Sequence, residues 1–230
     1  MADQIVLNYQ AFYDKRKADH VYPVEFVVRA FLGNYPRLSN RDTGYPGTRV
    51  LDLGFGDGRN MPLLANLGME VHGVEIAAEI CAQTGERLAR LGTSAQLRVG
   101  RNRSIPYEGQ FFDHVLACHA CYYVDPGTSF NDNVIEISRV VKPGGRLVCS
   151  LPIGTSYIFA GSKDLGSKHM EIKNDPYGVR NGYVLKKFDS ESEIVSALGE
   201  KFSDFQIGSC RNDFWGIEEH VWTVACHRSS

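Results

Sequence analysis

The segment Val50-Leu-Asp-Leu-Gly-Phe-Gly-Asp-Gly58 constrains this chain most, because an apolar strand runs straight into three glycines at alternate positions, Gly54, Gly56 and Gly58. Glycine adopts positive φ without steric cost and lets a ligand lie against bare backbone. A helix that follows such a turn presents its N-terminal N–H groups at the same place. Strand, glycine turn and helix in that order predict a βαβ unit with a nucleotide-type site at its first turn. The spacing departs from the dinucleotide fingerprint Gly-x-Gly-x-x-Gly, since the third glycine comes one residue early.

The rhythm set there continues. Apolar, β-branched runs predict strands at 49–53, 69–74, 95–99, 111–118 and 146–151, separated by helical periods at 58–67, 77–91 and 131–141. Lys142-Pro-Gly-Gly145 stops the last of these helices, because proline cannot continue it and glycine tolerates the tight turn into the next strand. The residues 152 to 187 that follow are rich in Gly, Ser, Asp, Asn and Tyr and show no sustained period, so they read as a long loop. Asp189-Ser-Glu-Ser caps a helix to about Leu198, and 202–210 with 219–226 read as a closing antiparallel pair. Before the first strand, Pro23 to Leu32 has helical character, with aromatics at Tyr9, Phe12, Tyr13 and Tyr22.

Alternating strands and helices predict an α/β fold: a doubly wound, mostly parallel seven-stranded sheet with helices on both faces and an antiparallel C-terminal strand pair. A chain of 230 residues suits one domain. The expected parts are a helical cap over 1–48, a ligand-binding half over 49–151, a lid insertion over 152–188, and the closing helix and strands over 189–230.

Composition narrows the partners. Lys plus Arg number 25 against 27 for Asp plus Glu, and this balance supplies no broad attraction to nucleic acid or anionic lipid. The N-terminus MADQIVLNYQ has neither a basic nor an apolar leader region, and no apolar run reaches membrane length, so the cytoplasm is the expected compartment. Six scattered cysteines fit buried thiols in a reducing compartment. Cys118-x-x-Cys121 is the one pair at metal or redox spacing, but it has no partner set and opens no helix, so no metal is expected.

Two acids refine the site. Asp52, at the strand end, would repel a pyrophosphate but attract an ammonium group. Glu75 ends the second strand, where a carboxylate can accept hydrogen bonds from both hydroxyls of a ribose. Together they describe a nucleoside with an amino-acid tail and no pyrophosphate.

With these residues in place the chain resembles the class I S-adenosylmethionine-dependent methyltransferases over roughly residues 45 to 151. Asp52-Leu-Gly-Phe-Gly-Asp-Gly58 looks like the family's acidic glycine loop, and Glu75, followed by Ile76, like its ribose acid. Ile105-Pro106-Tyr107 with Phe112-Asp113 resembles the entry to the fourth strand, and Val141-Lys-Pro-Gly-Gly145 the turn before the fifth. The resemblance implies S-adenosyl-L-methionine as cofactor, held by Asp52, Gly54, Gly56, Gly58, Glu75 and Ile76. It implies further that Cys118 and His119 border the methionine tail and the acceptor, and that Tyr13 covers the cofactor. Relatives carry an acid after the third strand for the adenine amino group. This chain has Gly100-Arg-Asn-Arg103 there, which moves adenine contact to Asn102 and Arg103 or to their backbone.

The expected activity is in-line methyl transfer to O or N of a small polar metabolite. A hydroxyl acceptor needs a base, and His119, then His169 in the long loop, are the candidates. For each the alternative is a histidine that only packs or hydrogen-bonds. Tyr122 and Tyr123 edge the acceptor or pack in the core, and Phe214, Trp215 and Trp222 read as core or hairpin-face packing. Rival functions are an NAD-dependent oxidoreductase, disfavoured by glycine spacing and Asp52, and a non-catalytic cofactor-binding protein.

Overall fold

The computed structural model describes residues 2–15, 20–38 and 44–230. Two helices, α1 (Ala2–Asp14) and α2 (Glu25–Leu32), precede the sheet. Then β1 (Arg49–Leu53), α3 (Met61–Asn66), β2 (Glu70–Glu75), α4 (Ala78–Arg90), β3 (Gln96–Val99) and β4 (Phe112–Ala117) alternate. Strand β5 (Tyr123–Val124) and α5 (Phe130–Val140) lead to β6 (Val141–Pro152), and three short strands follow: β7 (Lys163–Asp164), β8 (His169–Glu171) and β9 (Val184–Lys186). Helix α6 (Glu191–Leu198) and the hairpin β10 (Phe202–Asp213) and β11 (Glu218–Arg228) complete the order.

The large sheet runs β10-β11-β6-β4-β1-β2-β3. Pairing is parallel from β6 to β3, and β11 runs antiparallel to both β6 and β10. This is the expected α/β architecture. From β1 the chain moves one way to β2 and β3, and then the other way to β4 and β6. The carboxyl ends of β1 and β4 therefore part to leave a crevice, the place where such sheets take ligands.

Strand residues alternate between two apolar layers. Leu51, Leu53, Val115, Leu147 and Cys149 face one layer with Val134 and Ile137 of α5 and Ile194 and Leu198 of α6. Val50, Leu116 and Val148 face the other with Phe31 of α2, Met61 and Leu64 of α3 and Ile80 and Leu88 of α4. A fully buried leucine or phenylalanine contributes about 1.5–3 kcal/mol relative to exposure, so this double-sided burial fixes the sheet as a rigid platform. Helix α5 starts at a reciprocal cap: Asp132 N–H donates to Ser129 Oγ, and Ser129 N–H donates to Asp132 Oδ2 at 2.7 Å. At α6 the N-cap is Ser190, whose hydroxyl accepts from Glu193 N–H.

Four sequence expectations change. The stretch 152–187 is not an irregular loop, because β7, β8 and β9 join β5 in a second sheet of order β5-β9-β8-β7. Strands of two or three residues are too short to carry a readable period. Strand β6 begins at Val141 rather than Arg146. It pairs with Phe112, breaks register over the Pro-Gly-Gly segment, and resumes at His114↔Arg146. Helix α1 adds to the cap and sets Tyr9, Phe12 and Tyr13 on one side by their three- and four-residue spacing. Phe214 and Trp215 sit at the β10–β11 turn, and Trp215 is 98% exposed, so neither is core packing. Trp222 does pack, with its indole N–H donating to Phe188 C=O. Among the described residues no helix is long and apolar enough to cross a membrane.

Candidate active site

A cavity of about 360 Å³ opens where β1 and β4 part, a size ordinary for small-ligand clefts. Its floor is the glycine turn. Gly54 lines it, with its N–H donating to Val74 C=O at 2.8 Å. Gly56 and Gly58 lie beside the cavity rather than in its lining, and each is glycine for its own reason. A Cβ on Gly56 would collide with the Tyr13 hydroxyl, which caps the turn from α1. A Cβ on Gly58 would meet Thr84 Cγ2 at 2.6 Å, and its φ of +71° is one that other residues enter only under strain. Gly58 thus lets α4 close on the turn, and the Thr84 hydroxyl donates to Gly56 C=O at 2.9 Å.

Two acids, Glu75 and Asp57, line the cavity at this floor, and a third, Asp52, is buried beside it outside the lining. Asp52 is 1% exposed and its Oδ2 has no hydrogen-bond partner. Burial first, and then the charges of Glu75 and Asp57, push its carboxyl well above the usual range. Glu75 is also buried and raised by desolvation, but Ile76 N–H donates to its Oε1 at 2.7 Å and Gly56 N–H to its Oε2 at 3.0 Å. These two bonds fix the carboxylate and leave one lone pair on each oxygen for a ligand. Asp57 was not singled out in the sequence. Burial works against its charge, yet two hydrogen bonds from Arg59, at 2.9 and 2.5 Å, carry it below the ordinary range.

Residues 100–103 divide. Arg101 and Asn102 line the cavity and Arg103 does not. Arg101 and Ser104 exchange backbone hydrogen bonds, and this tight reversal leaves the Arg103 side chain half-exposed against Asp125. Arg101, the neighbour the sequence reading passed over, donates to Asp125 Oδ1 at 2.9 Å. The Asn102 amide donates to the carbonyls of Ala120 and Tyr123, so it ties down the wall of the cavity.

Cys118 and His119 lie in the lining after β4. Burial raises the Cys118 thiol and keeps it protonated. All six cysteines are free, and no cluster of metal-binding side chains exists among the described residues. His119 adopts φ +54°, with its N–H donating to Ser150 Oγ at 2.8 Å. This strained turn aims the imidazole into the cavity, where Nε2 lies 3.9 Å from Glu219 Oε1 of β11. Burial lowers the His119 pKa, Glu219 opposes this, and Arg180 and Arg59 add to the lowering. The second histidine is not in the site: His169 sits in β8 of the small sheet, outside the cavity lining, as one of that sheet's ladder residues.

The far wall was largely missed. Tyr9, Tyr123, Tyr157, Tyr177 and Tyr183 line it together with Arg180, Phe214 and Glu219. Tyr123 is in the cavity wall while its neighbour Tyr122 is buried in the core. These residues come from α1, β5, the small-sheet connections and the β10–β11 hairpin, so no local pattern joins them. The one signal available was the polar density of 169–182, which does deliver Tyr177 and Arg180.

Comparisons with known proteins agree with this geometry. Residues 51–149 match the family model described as a methyltransferase domain. A methyltransferase of Mycobacterium tuberculosis is 34% identical over 103 residues, which cover 43% of this chain and 37% of that protein. The match thus spans little more than a third of that relative's length. A solved S-adenosylmethionine-dependent methyltransferase of Methanosarcina mazei superposes with a TM-score of 0.65 at 19% identity, covering 85% of this chain and 98% of that one. The 1,6-didemethyltoxoflavin N1-methyltransferase of Burkholderia thailandensis, solved with its acceptor and S-adenosylhomocysteine, gives a TM-score of 0.58 at 16% identity, covering 80% and 72%.

Proposed function

We propose that this chain, whose residues 51–149 match the methyltransferase domain model, is a class I, S-adenosylmethionine-dependent methyltransferase that transfers a methyl group to a small molecule held between His119 and the tyrosine wall. The observation that carries this reading is the donor set at the β1–β4 crevice. Asp52, buried next to the lining residues Leu53 and Gly54 but outside the lining itself, carries an unpartnered oxygen, and Glu75 lines the cavity and offers two open lone pairs on a fixed carboxylate. An ammonium group suits the first and a ribose diol the second. A pyrophosphate suits neither, which is the argument against NAD.

S-adenosylmethionine, when bound, supplies a methyl group on a positively charged sulfur, and that charge disappears as the methyl leaves. The protein's part is alignment in a dry pocket. Asp52 and Glu75 hold the two ends of the donor, and Tyr13 closes the turn from above. His119, held neutral by burial, takes a hydroxyl proton at Nε2, and Glu219 steadies the imidazolium that results. Helix α1 from the 1–48 cap and the small sheet of 152–188 act as lids that exclude water from the acceptor.

Calorimetric titration with S-adenosylhomocysteine and with NAD tests the donor. Binding of the first alone is expected, and binding of NAD alone overturns the reading. Release of S-adenosylhomocysteine from S-adenosylmethionine across an acceptor panel then tests transfer.

A further inference from the structure

We infer that the acceptor carries a carboxylate, and that Arg180 with the hydroxyls of Tyr123 and Tyr157 is its anchor. The inference rests on the methyltransferase reading for the other half of the cavity, but its argument is a separate count of hydrogen-bond donors. Arg180 is three-quarters buried in the cavity wall. Its Nε donates to the Tyr123 hydroxyl at 2.9 Å, and its Nη1 donates to the Tyr157 hydroxyl at 3.3 Å and to Asp175 Oδ1 at 3.2 Å. Among the described residues Nη2 has no hydrogen bond.

Asp175 does not neutralise this arrangement, because its carboxylate is already committed. Its Oδ1 accepts from Tyr177 N–H, and its Oδ2 from the N–H groups of Val179 and Arg180, all within 3.2 Å. The fully buried Asp175 side chain therefore folds the loop and pins one edge of the guanidinium, leaving the other edge presented. The tyrosines add to the imbalance. Tyr123 oxygen accepts from both Arg180 and the Tyr9 hydroxyl, at 3.0 Å for the latter, so its own proton has no acceptor there. Tyr157 oxygen likewise accepts from Arg180 and keeps its proton. Burial, opposed by the Arg180 charge and then aided by Asp175 and Glu219, pushes that phenol up to about 12, so it stays a donor at neutral pH.

Three donor groups, one of them cationic, thus converge on the wall with no acceptor among them, since Glu219, the carboxylate of the same wall, has its ion-pair contact with His119 and none with Arg180. Donors that face an open cavity without a protein acceptor are available to an anionic ligand. A carboxylate matches them in charge and in the spacing of its two oxygens. The surrounding tyrosine rings favour a flat apolar body on that carboxylate, and the Tyr177 ring lies 6.0 Å from the guanidinium carbon.

The test uses the full chain saturated with S-adenosylhomocysteine. Three pairs are titrated by calorimetry at pH 7.5: benzoate and benzamide, 4-hydroxybenzoate and 4-hydroxybenzamide, nicotinate and nicotinamide. In at least one pair the acid is expected to bind about ten- to a hundredfold tighter than its amide, and the preference is expected to collapse in Arg180→Gln and to weaken in Arg180→Lys. Equal binding within every pair, absence of binding by every acid, or a preference that survives in Arg180→Gln overturns the inference. The comparison within wild-type protein decides even if a variant fails to fold. Failure of S-adenosylhomocysteine itself to bind wild-type protein overturns the methyltransferase reading instead, so the two failures are separable.

Discussion

Replacing Asp52 by asparagine should make the ligand-free protein more stable while disabling the donor site. Asp52 is buried, its Oδ2 is unpartnered, and burial followed by the charges of Glu75 and Asp57 raises its carboxyl above the ordinary value of 3.8. A carboxyl whose folded pKa is raised binds its proton more tightly in the native state than in the unfolded chain. Its stability contribution is therefore greatest below pH 3.8 and falls as pH rises toward the folded value. At pH 7 the penalty is bounded by the cost of keeping the proton on. Over the interval from 3.8 this is about 4 kcal/mol, at roughly 1.4 kcal/mol per pH unit. Asparagine removes the ionisation but leaves an amide whose unmade hydrogen bonds cost about 1–3 kcal/mol. The net gain for Asp52→Asn is then at most about 3 kcal/mol, or roughly 9 °C in Tm for a chain of this length. Calorimetric melts from pH 4.5 to 8 without ligand would measure it. The gain should shrink as pH falls, because the wild-type acid then protonates at less cost. A variant that melts below wild type at pH 7.5, or a gain independent of pH, would refute the reasoning. The same variant should bind S-adenosylhomocysteine about 10- to 100-fold more weakly, since its ammonium loses a charged partner.

The remaining predictions probe other parts of the site. Glu75→Ala should weaken S-adenosylhomocysteine binding by about 1.5–3 kcal/mol through lost charge-assisted hydrogen bonds, and unchanged affinity in a folded variant removes Glu75 from the site. Because burial lowers the His119 pKa, the neutral base persists below pH 6.5 and the acid limb of kcat/KM should lie below that value. Glu219→Gln, which removes the opposing charge, should move the limb lower still, and a limb that stays put separates His119 from the chemistry. Gly58→Ala should destabilise by about 2–3 kcal/mol from positive φ and the contact with Thr84 Cγ2. Adding Thr84→Ser, which deletes that methyl and keeps the hydroxyl, should restore part of the loss in chemical denaturation, and no rescue at all would place the whole cost in the backbone.

The sequence by itself determined what depends on neighbouring residues. Val50 to Leu53 are apolar but for Asp52 and flow into glycines, and the helical periods of 77–91 and 131–141 show which face is buried. The parallel sheet, its crevice and the placing of Gly54 and Glu75 in the cavity lining were legible for that reason. The antiparallel hairpin was legible too, since its strands alternate over many residues. Only the tertiary structure decided the far wall of the cavity. Strands of two or three residues cannot carry a period, so the small sheet was invisible. Tyr9, Tyr123, Tyr157, Arg180 and Glu219 come from separate segments and meet only because the hairpin, the small sheet and α1 pack over one crevice. Tertiary packing also separated neighbours that sequence treats alike, turning Arg101 into the cavity and Arg103 out of it, and taking His169 into a sheet while a positive-φ turn sets His119 in the cavity lining. Local chemistry is written along the chain, but convergence across it depends on which surfaces bury each other, and that is a property of the folded molecule alone.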